Sequence, residues 1–178
     1  MNVTQVRHWL FVGNRDECNQ NGHEYGGIIH IWRDDFPEHS CQYMNGYKIT
    51  DCKFHYTLEY KDGHKLPTVV LDNLRMALND NYLKFGKESK LLVHCAAGQT
   101  RSPTIVLFVL SLVERTHPFV LLQDIYDSVW RGRGKIANIC HAPLKDIVEW
   151  YENNLYNPEI FGEATAVITE HRASEGGD

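Results

Sequence analysis

Apolar positions fall into short consecutive runs in the first third of the chain and into helical stripes further on. Trp9-Leu10-Phe11-Val12 is an apolar run that ends at Gly13-Asn14, the layout of a short buried strand closing in a turn. Arg15 to Gly22 is polar and fits a short helix or a loop. Gly27-Ile28-Ile29-His30-Ile31-Trp32 predicts a second strand, with glycines before it and Arg33-Asp34-Asp35 after it. Tyr47-Lys48-Ile49-Thr50 is a candidate third. Glu59 to Lys65 is polar and holds Asp62-Gly63, a turn dipeptide. Pro67 then opens a long helix in which Val70, Leu71, Leu74, Leu78, Tyr82 and Leu83 form the inward stripe.

Lys90 to His94 predicts a central strand, because Leu91-Leu92-Val93 has no polar alternation. Ser102-Pro103-Thr104 followed by Ile105-Val106-Leu107-Phe108-Val109-Leu110 reads as a helix start and its apolar body. Pro118 begins another helix with Val120, Leu121, Ile125, Val129 and Trp130 on one face, followed by a basic loop, Arg131 to Lys135. Pro143 to Leu155 is a last amphipathic helix. Strands early, helices late and a strand–loop–helix junction between them imply an α/β fold: a three-layer sandwich, a central mixed sheet flanked by helices, in a single domain. Residues 1–156 are expected to form that domain, and residues 157–178 a C-terminal tail that is at least partly mobile.

Composition narrows the function more than the fold. The 178 residues are 43% apolar and 23% charged, ordinary for a globular protein, and suffice for one hydrophobic core. A net charge of −5 disfavours binding to nucleic acid or an acidic membrane by the surface as a whole, while leaving room for a local basic rim. Cys18, Cys41, Cys52, Cys95 and Cys140 are odd in number and lack CxxC spacing, which argues against a disulfide framework and against zinc. The ten histidines show neither HxH nor HxxxH spacing, so no metal site is expected. Met1 to Arg7 lacks the basic-then-apolar layout of a signal peptide, and the longest apolar run, Ile105 to Val113, is too short to span a bilayer. A cytoplasmic monomer is the expectation.

The chemistry concentrates in His94-Cys95-Ala96-Ala97-Gly98-Gln99-Thr100-Arg101-Ser102. A turn between a buried strand and a helix start aims several backbone N–H groups into one concavity, and the helix N-terminus adds partial positive charge; such a concavity binds phosphate. The same field favours an ionised thiol, so Cys95 is expected to be largely thiolate at neutral pH. Gly98 permits the turn and a close approach of backbone to oxygen. Arg101 supplies a planar fork for two phosphate oxygens, which lysine cannot do. Ser102 suits either a hydrogen bond to the sulfur or the helix N-cap. These residues in this order describe a nucleophile beneath a phosphate cradle.

The run resembles the His-Cys-x5-Arg-Ser/Thr signature of the cysteine-dependent protein tyrosine phosphatase superfamily, and in particular its dual-specificity branch. Leu10-Phe11-Val12-Gly13-Asn14 resembles that branch's first strand and turn, and Gly27 to Trp32 its second strand. Ile136-Ala137-Asn138 is similar to its Ile-Pro-Asn segment, with Ala137 in place of the proline. The resemblance implies a phosphocysteine intermediate on Cys95, with phosphate bound by the backbone of Ala96, Ala97, Gly98, Gln99 and Thr100 and by Arg101. His94 would order the loop and tune the thiol, and Asn138 would position a neighbouring loop or a water. No cofactor and no metal are implied.

The leaving oxygen needs a proton, and a carboxylate on a separate loop can supply it and then activate water. Asp62 occupies the station where the family carries its general acid, with Glu59 and Asp51 as the other candidates. The five residues between Cys95 and Arg101 contain no Lys or Arg, which disfavours polyanionic lipid head groups. A phosphorylated protein is the expected substrate, carrying phosphotyrosine and phosphoserine or phosphothreonine. The Arg131–Lys135 stretch keeps open a phosphatase of RNA 5′ ends or of another small phosphorylated molecule. A phosphate-binding adaptor with weak catalysis is the alternative from outside enzymology.

Overall fold

The computed structural model describes residues 3–32, 43–44, 47–48, 54–61, 63–79, 90–95, 100–134 and 136–157. Its elements, in chain order, are β1 (Val3–Arg7), β2 (Leu10–Gly13), α1 (Arg15–Asn21), β3 (Gly27–Trp32), β4 (Tyr43–Met44), β5 (Tyr47–Lys48) and β6 (Phe54–Glu59). They continue with α2 (Thr68–Ala77), β7 (Leu91–His94), α3 (Arg101–Glu114), α4 (Pro118–Arg133) and α5 (His141–Asn154).

Five strands form a mixed sheet in the order β1-β2-β7-β3-β6, with β1 antiparallel to β2 and every other neighbouring pair parallel. Central parallel strands are covered on both faces, which is why β7 is Leu-Leu-Val-His with every residue buried. Alternation along β7 then sorts its side chains. Leu91, Val93 and Cys95 join the main core, while Leu92 joins Cys18, Tyr25 and Ile28 on the opposite face. Among the described helices α1 lies over that second face, held at its start by Asn14, whose side chain accepts from the Glu17 N–H at 3.0 Å. There the Tyr25 hydroxyl donates to Glu17 at 3.1 Å; burial, reinforced by that carboxylate, pushes its ionisation far above the usual tyrosine range.

The main core draws on the other four helices. Leu71 and Leu74 come from α2, Leu121, Ile125 and Val129 from α4, and Ile147, Trp150 and Tyr151 from α5. Between them runs α3, buried at every position from Arg101 to Val113 because it has neighbours on all sides. Phe108 meets Trp150 edge to face, ring centroids 4.9 Å apart, and the Trp150 indole N–H donates to Asp72 of α2 at 2.8 Å. One helix, a mixed sheet and four helices make the three-layer α/β sandwich expected of the sequence. Among the described residues no helix is long and apolar enough to cross a membrane.

Several elements depart from the pattern reading. Val3–Arg7, to which the pattern assigned no element, is a strand paired as a hairpin with β2. Phe54–Glu59 is the edge strand β6; its Phe-His-Tyr-Thr-Leu-Glu alternation carried the signal. Tyr47–Lys48 does form a strand, but in a two-stranded ribbon with β4, apart from the main sheet. In α2, Leu71, Leu74 and Leu78 are buried and Val70 only partly so, whereas Tyr82 and Leu83 lie outside the described residues. On α4, Val120 and Trp130 point outward at 70% and 57% exposure, leaving Leu121, Ile125 and Val129 as the inner stripe. Arg131 to Arg133 form the last turn of α4, not a loop, and the helix ends at Gly134 with a left-handed φ of 64°. The last helix opens at His141, two positions ahead of Pro143.

Gly132 lets this helix end seat on the sheet. A Cβ there would collide with the Cβ, Cγ2 and Oγ1 of Thr4, a buried residue of β1. Rotation about χ1 cannot clear all three atoms, so the clash outweighs the ~1 kcal/mol of helix propensity that alanine brings. Gly132→Ala is expected to destabilise the fold by about 1–2 kcal/mol net, read from the urea midpoint. A midpoint that rose would show that the helix end is free to move away.

Candidate active site

In an open parallel sheet the carboxyl ends of the strands face the functional crevice. Four such ends meet here: Gly13 of β2, His94 of β7, Trp32 of β3 and Glu59 of β6, with Gly13 and His94 in register. Cys95 directly follows the central strand and is 2% exposed, on the face covered by α3. Arg101, 4% exposed, is the first residue of α3. Cys95 and Arg101 therefore occupy the strand end and the helix start that the sequence assigned to them. Ala96, Ala97, Gly98 and Gln99 lie outside the described residues.

Ser102 joins the two ends. Its Oγ is 3.2 Å from Cys95 Sγ and also donates to the Gly13 carbonyl oxygen at 3.3 Å. A hydroxyl has one proton, so these contacts define two settings. With a neutral thiol, the S–H donates to Ser102 while Ser102 donates to Gly13. With a thiolate, the Ser102 O–H turns to the sulfur. The serine is thus within hydrogen-bond reach of the sulfur in either state. It is not the helix cap: Thr100 holds that position, without a side-chain capping bond. The Thr100 carbonyl oxygen instead accepts from Thr104, from its N–H at 3.3 Å and its Oγ1 at 2.6 Å, which starts the helix.

His94 precedes Cys95 and, by alternation, faces the opposite side of the sheet, where its ring lies 4.7 Å from that of His30, its partner in register. Both rings are buried. The His30 contact was not anticipated from sequence, because strand register alone brings the two together. Gly13, read as a turn residue, also acquires a part as the carbonyl behind Ser102.

Asp62 and Asp51 lie outside the described residues. Lys61 and Gly63, on either side of Asp62, are exposed, and Gly63 has a left-handed φ of 75°, a backbone setting that favours glycine. Glu59 is exposed at the end of β6. That end lies two strands from β7, about 10 Å by ordinary strand spacing, on the same edge of the sheet as Cys95. Asn138 is exposed between buried Ala137 and Ile139 in the connection from α4 to α5. Because Gly132 packs on Thr4, and Thr4 pairs with Val12 one residue short of the end of β2, exposed Arg131 also belongs to this end of the sheet. Among the described residues no cluster of three His, Cys, Asp or Glu side chains is arranged to hold a metal ion.

No protein-family model and no curated protein matches the sequence. Solved structures do match in shape. PTPMT1 in complex with PI(5)P superposes with a TM-score of 0.62 at 16% identity, over 86% of this chain and 96% of that one. Human DUSP28 gives 0.62 at 14% identity, over 87% and 95%. The human tyrosine phosphatase-like serine/threonine/tyrosine-interacting protein gives 0.56 at 16% identity, over 85% and 93%. The chain shares the overall fold of these phosphatase structures. In this chain Cys95 follows β7 and Arg101 opens α3.

Proposed function

We propose that the protein is a cysteine-based phosphoric monoester hydrolase of dual specificity, acting on phosphotyrosine and on phosphoserine or phosphothreonine in proteins. One observation carries this reading: Cys95 Sγ stands 3.2 Å from Ser102 Oγ at the end of the central parallel strand, with Arg101 opening the helix beside it. In the first step the Cys95 thiolate attacks phosphorus in line. The P–S bond forms as the bond from phosphorus to the leaving oxygen breaks, and Asp62 passes its proton to that oxygen. Arg101 and the amides of residues 96–100 hold the equatorial oxygens. Water then attacks the phosphocysteine, its proton goes to the Asp62 carboxylate, and the P–S bond breaks. The Ser102 O–H stabilises the departing sulfur.

No lysine or arginine stands between Cys95 and Arg101, which favours a single phosphoresidue over a polyanionic head group. The position of Arg131 at the site's end of the sheet favours one second reading, a phosphatase of RNA 5′ ends. Comparing kcat/KM for phosphotyrosyl, phosphoseryl and phosphothreonyl peptides with that for 5′-triphosphorylated RNA decides between the two. Peptide turnover at least ~10-fold above RNA supports the protein phosphatase, and the reverse order replaces it.

Asp62→Asn removes the transferable proton and keeps the shape. Its kcat is expected to fall ~10²-fold, within the usual contribution of a general acid, while inhibition by vanadate stays nearly unchanged. Wild-type turnover in that variant would move the acid to Glu59 or Asp51.

A further inference from the structure

Asp146 sits near the start of α5, and its Oδ2 accepts from the backbone N–H of Leu66 at 2.7 Å. The bond joins segments 80 residues apart in the chain. Leu66 ends the polar turn that leaves β6, and of the described residues from 61 to 66 it alone is buried. Gly63 also lies near this helix: a Cβ there would be 3.7 Å from the Sγ of Cys140, the residue at the N-cap position of α5. Leu66 is thus bonded to α5, and Gly63 lies close to the start of that helix. A cleft of about 330 Å³ runs along this seam, lined by Lys65, Leu66, Asp146 and Trp150 among others.

Between Tyr60 and Leu66, both buried, the described residues of this polar, glycine-bearing turn are exposed and have little packing of their own to hold them in place. A general acid on such a turn needs an external brace, because a misplacement of about 1 Å can cost ~10²-fold in rate. We propose that Asp146 is a positioning residue: by gripping Leu66 it fixes the Glu59–Leu66 segment so that the acid it carries meets the leaving oxygen. This rests on the phosphatase reading above, and it holds whether the proton comes from Asp62 or from Glu59. The same bond also supports the start of α2, whose cap, Pro67, makes no side-chain capping bond. Catalysis separates the two roles, because a structural brace has no reason to distinguish between leaving groups.

The test compares kcat/KM for phenyl phosphate, whose leaving group needs a proton, with that for 4-nitrophenyl phosphate, whose leaving group needs it far less. Asp146→Ala is expected to lose ~10-fold or more on phenyl phosphate and less than ~3-fold on the nitrophenyl ester. The ratio of the two values does not depend on how much of the preparation is folded. Asp146→Asn keeps an oxygen acceptor for Leu66 and is expected to recover to within ~3-fold of wild type on both substrates. Should the alanine variant not fold, Asp146→Glu displaces the segment by one methylene and is expected to shift the ratio in the same direction. Equal losses on both substrates, no loss on either, or an asparagine variant as impaired as alanine would overturn the proposal. Asp62→Asn and Glu59→Gln serve as controls: if neither alters the ratio, the acid assignment fails rather than its brace.

Discussion

Cys95→Ser is expected to abolish turnover, by at least ~10⁴-fold, while the protein still folds and still binds phosphorylated ligand. The serine hydroxyl is smaller and far less acidic than the thiol, so no anionic nucleophile forms at neutral pH. Its size does little harm to a site already close-packed against Ser102 and the main core. On the proposed reading the substitution leaves the phosphate-binding groups unchanged, which makes this variant a trap. The measurement pairs hydrolysis of 4-nitrophenyl phosphate with calorimetric binding of a phosphotyrosyl peptide. Residual activity of a few per cent would remove Cys95 from the chemistry, and loss of binding with the fold intact would remove the cradle.

Arg101→Lys keeps the charge and loses the planar fork. The first position of α3 is 4% exposed, so the side chain acts where water screens little. A lysine ammonium grips one oxygen where guanidinium grips two, and the transition state, with its charge on the equatorial oxygens, loses more than the ground state. The expected loss in kcat is ~10²–10³-fold, the usual penalty for removing one preorganised donor from such a site. Inhibition by inorganic phosphate should weaken by a smaller factor, because the ground-state anion needs the fork less. A lysine variant within ~3-fold of wild type would mean that Arg101 serves the fold rather than the phosphate.

How much of this was legible beforehand depended on how local each signal was. Leu91-Leu92-Val93 read as a strand covered on both faces, and Cys95 to Ser102 marked the passage from that strand to the next helix. Helix faces were less secure where apolar residues adjoin, as at Val120-Leu121 and Val129-Trp130. Neighbours on a helix point about 100° apart, so composition does not say which of two adjacent apolar residues turns inward. β4 and β5 lay only partly within reach for a different reason: Tyr43–Met44 and Tyr47–Lys48 are too short for periodicity to register. Val3–Arg7 reads as a strand only once β2 lies beside it to take its hydrogen bonds.

Ser102 makes the distinction sharpest. Its neighbours in sequence allowed either a cap or a ligand for sulfur, and its contact with Gly13, 89 residues away, accompanies the second. The grip of Asp146 on Leu66 had no signal in the sequence, since one Asp on an amphipathic helix resembles any other. The chain by itself determined the order of Cys95, Arg101 and Ser102 at a strand end and a helix start, because all three lie within eight consecutive residues. Tertiary structure alone decided which carbonyl backs the serine, which ring lies under His94 and which helix braces the turn after β6. Those partners are far apart in the chain, and only the stacking of strands and helices makes them neighbours.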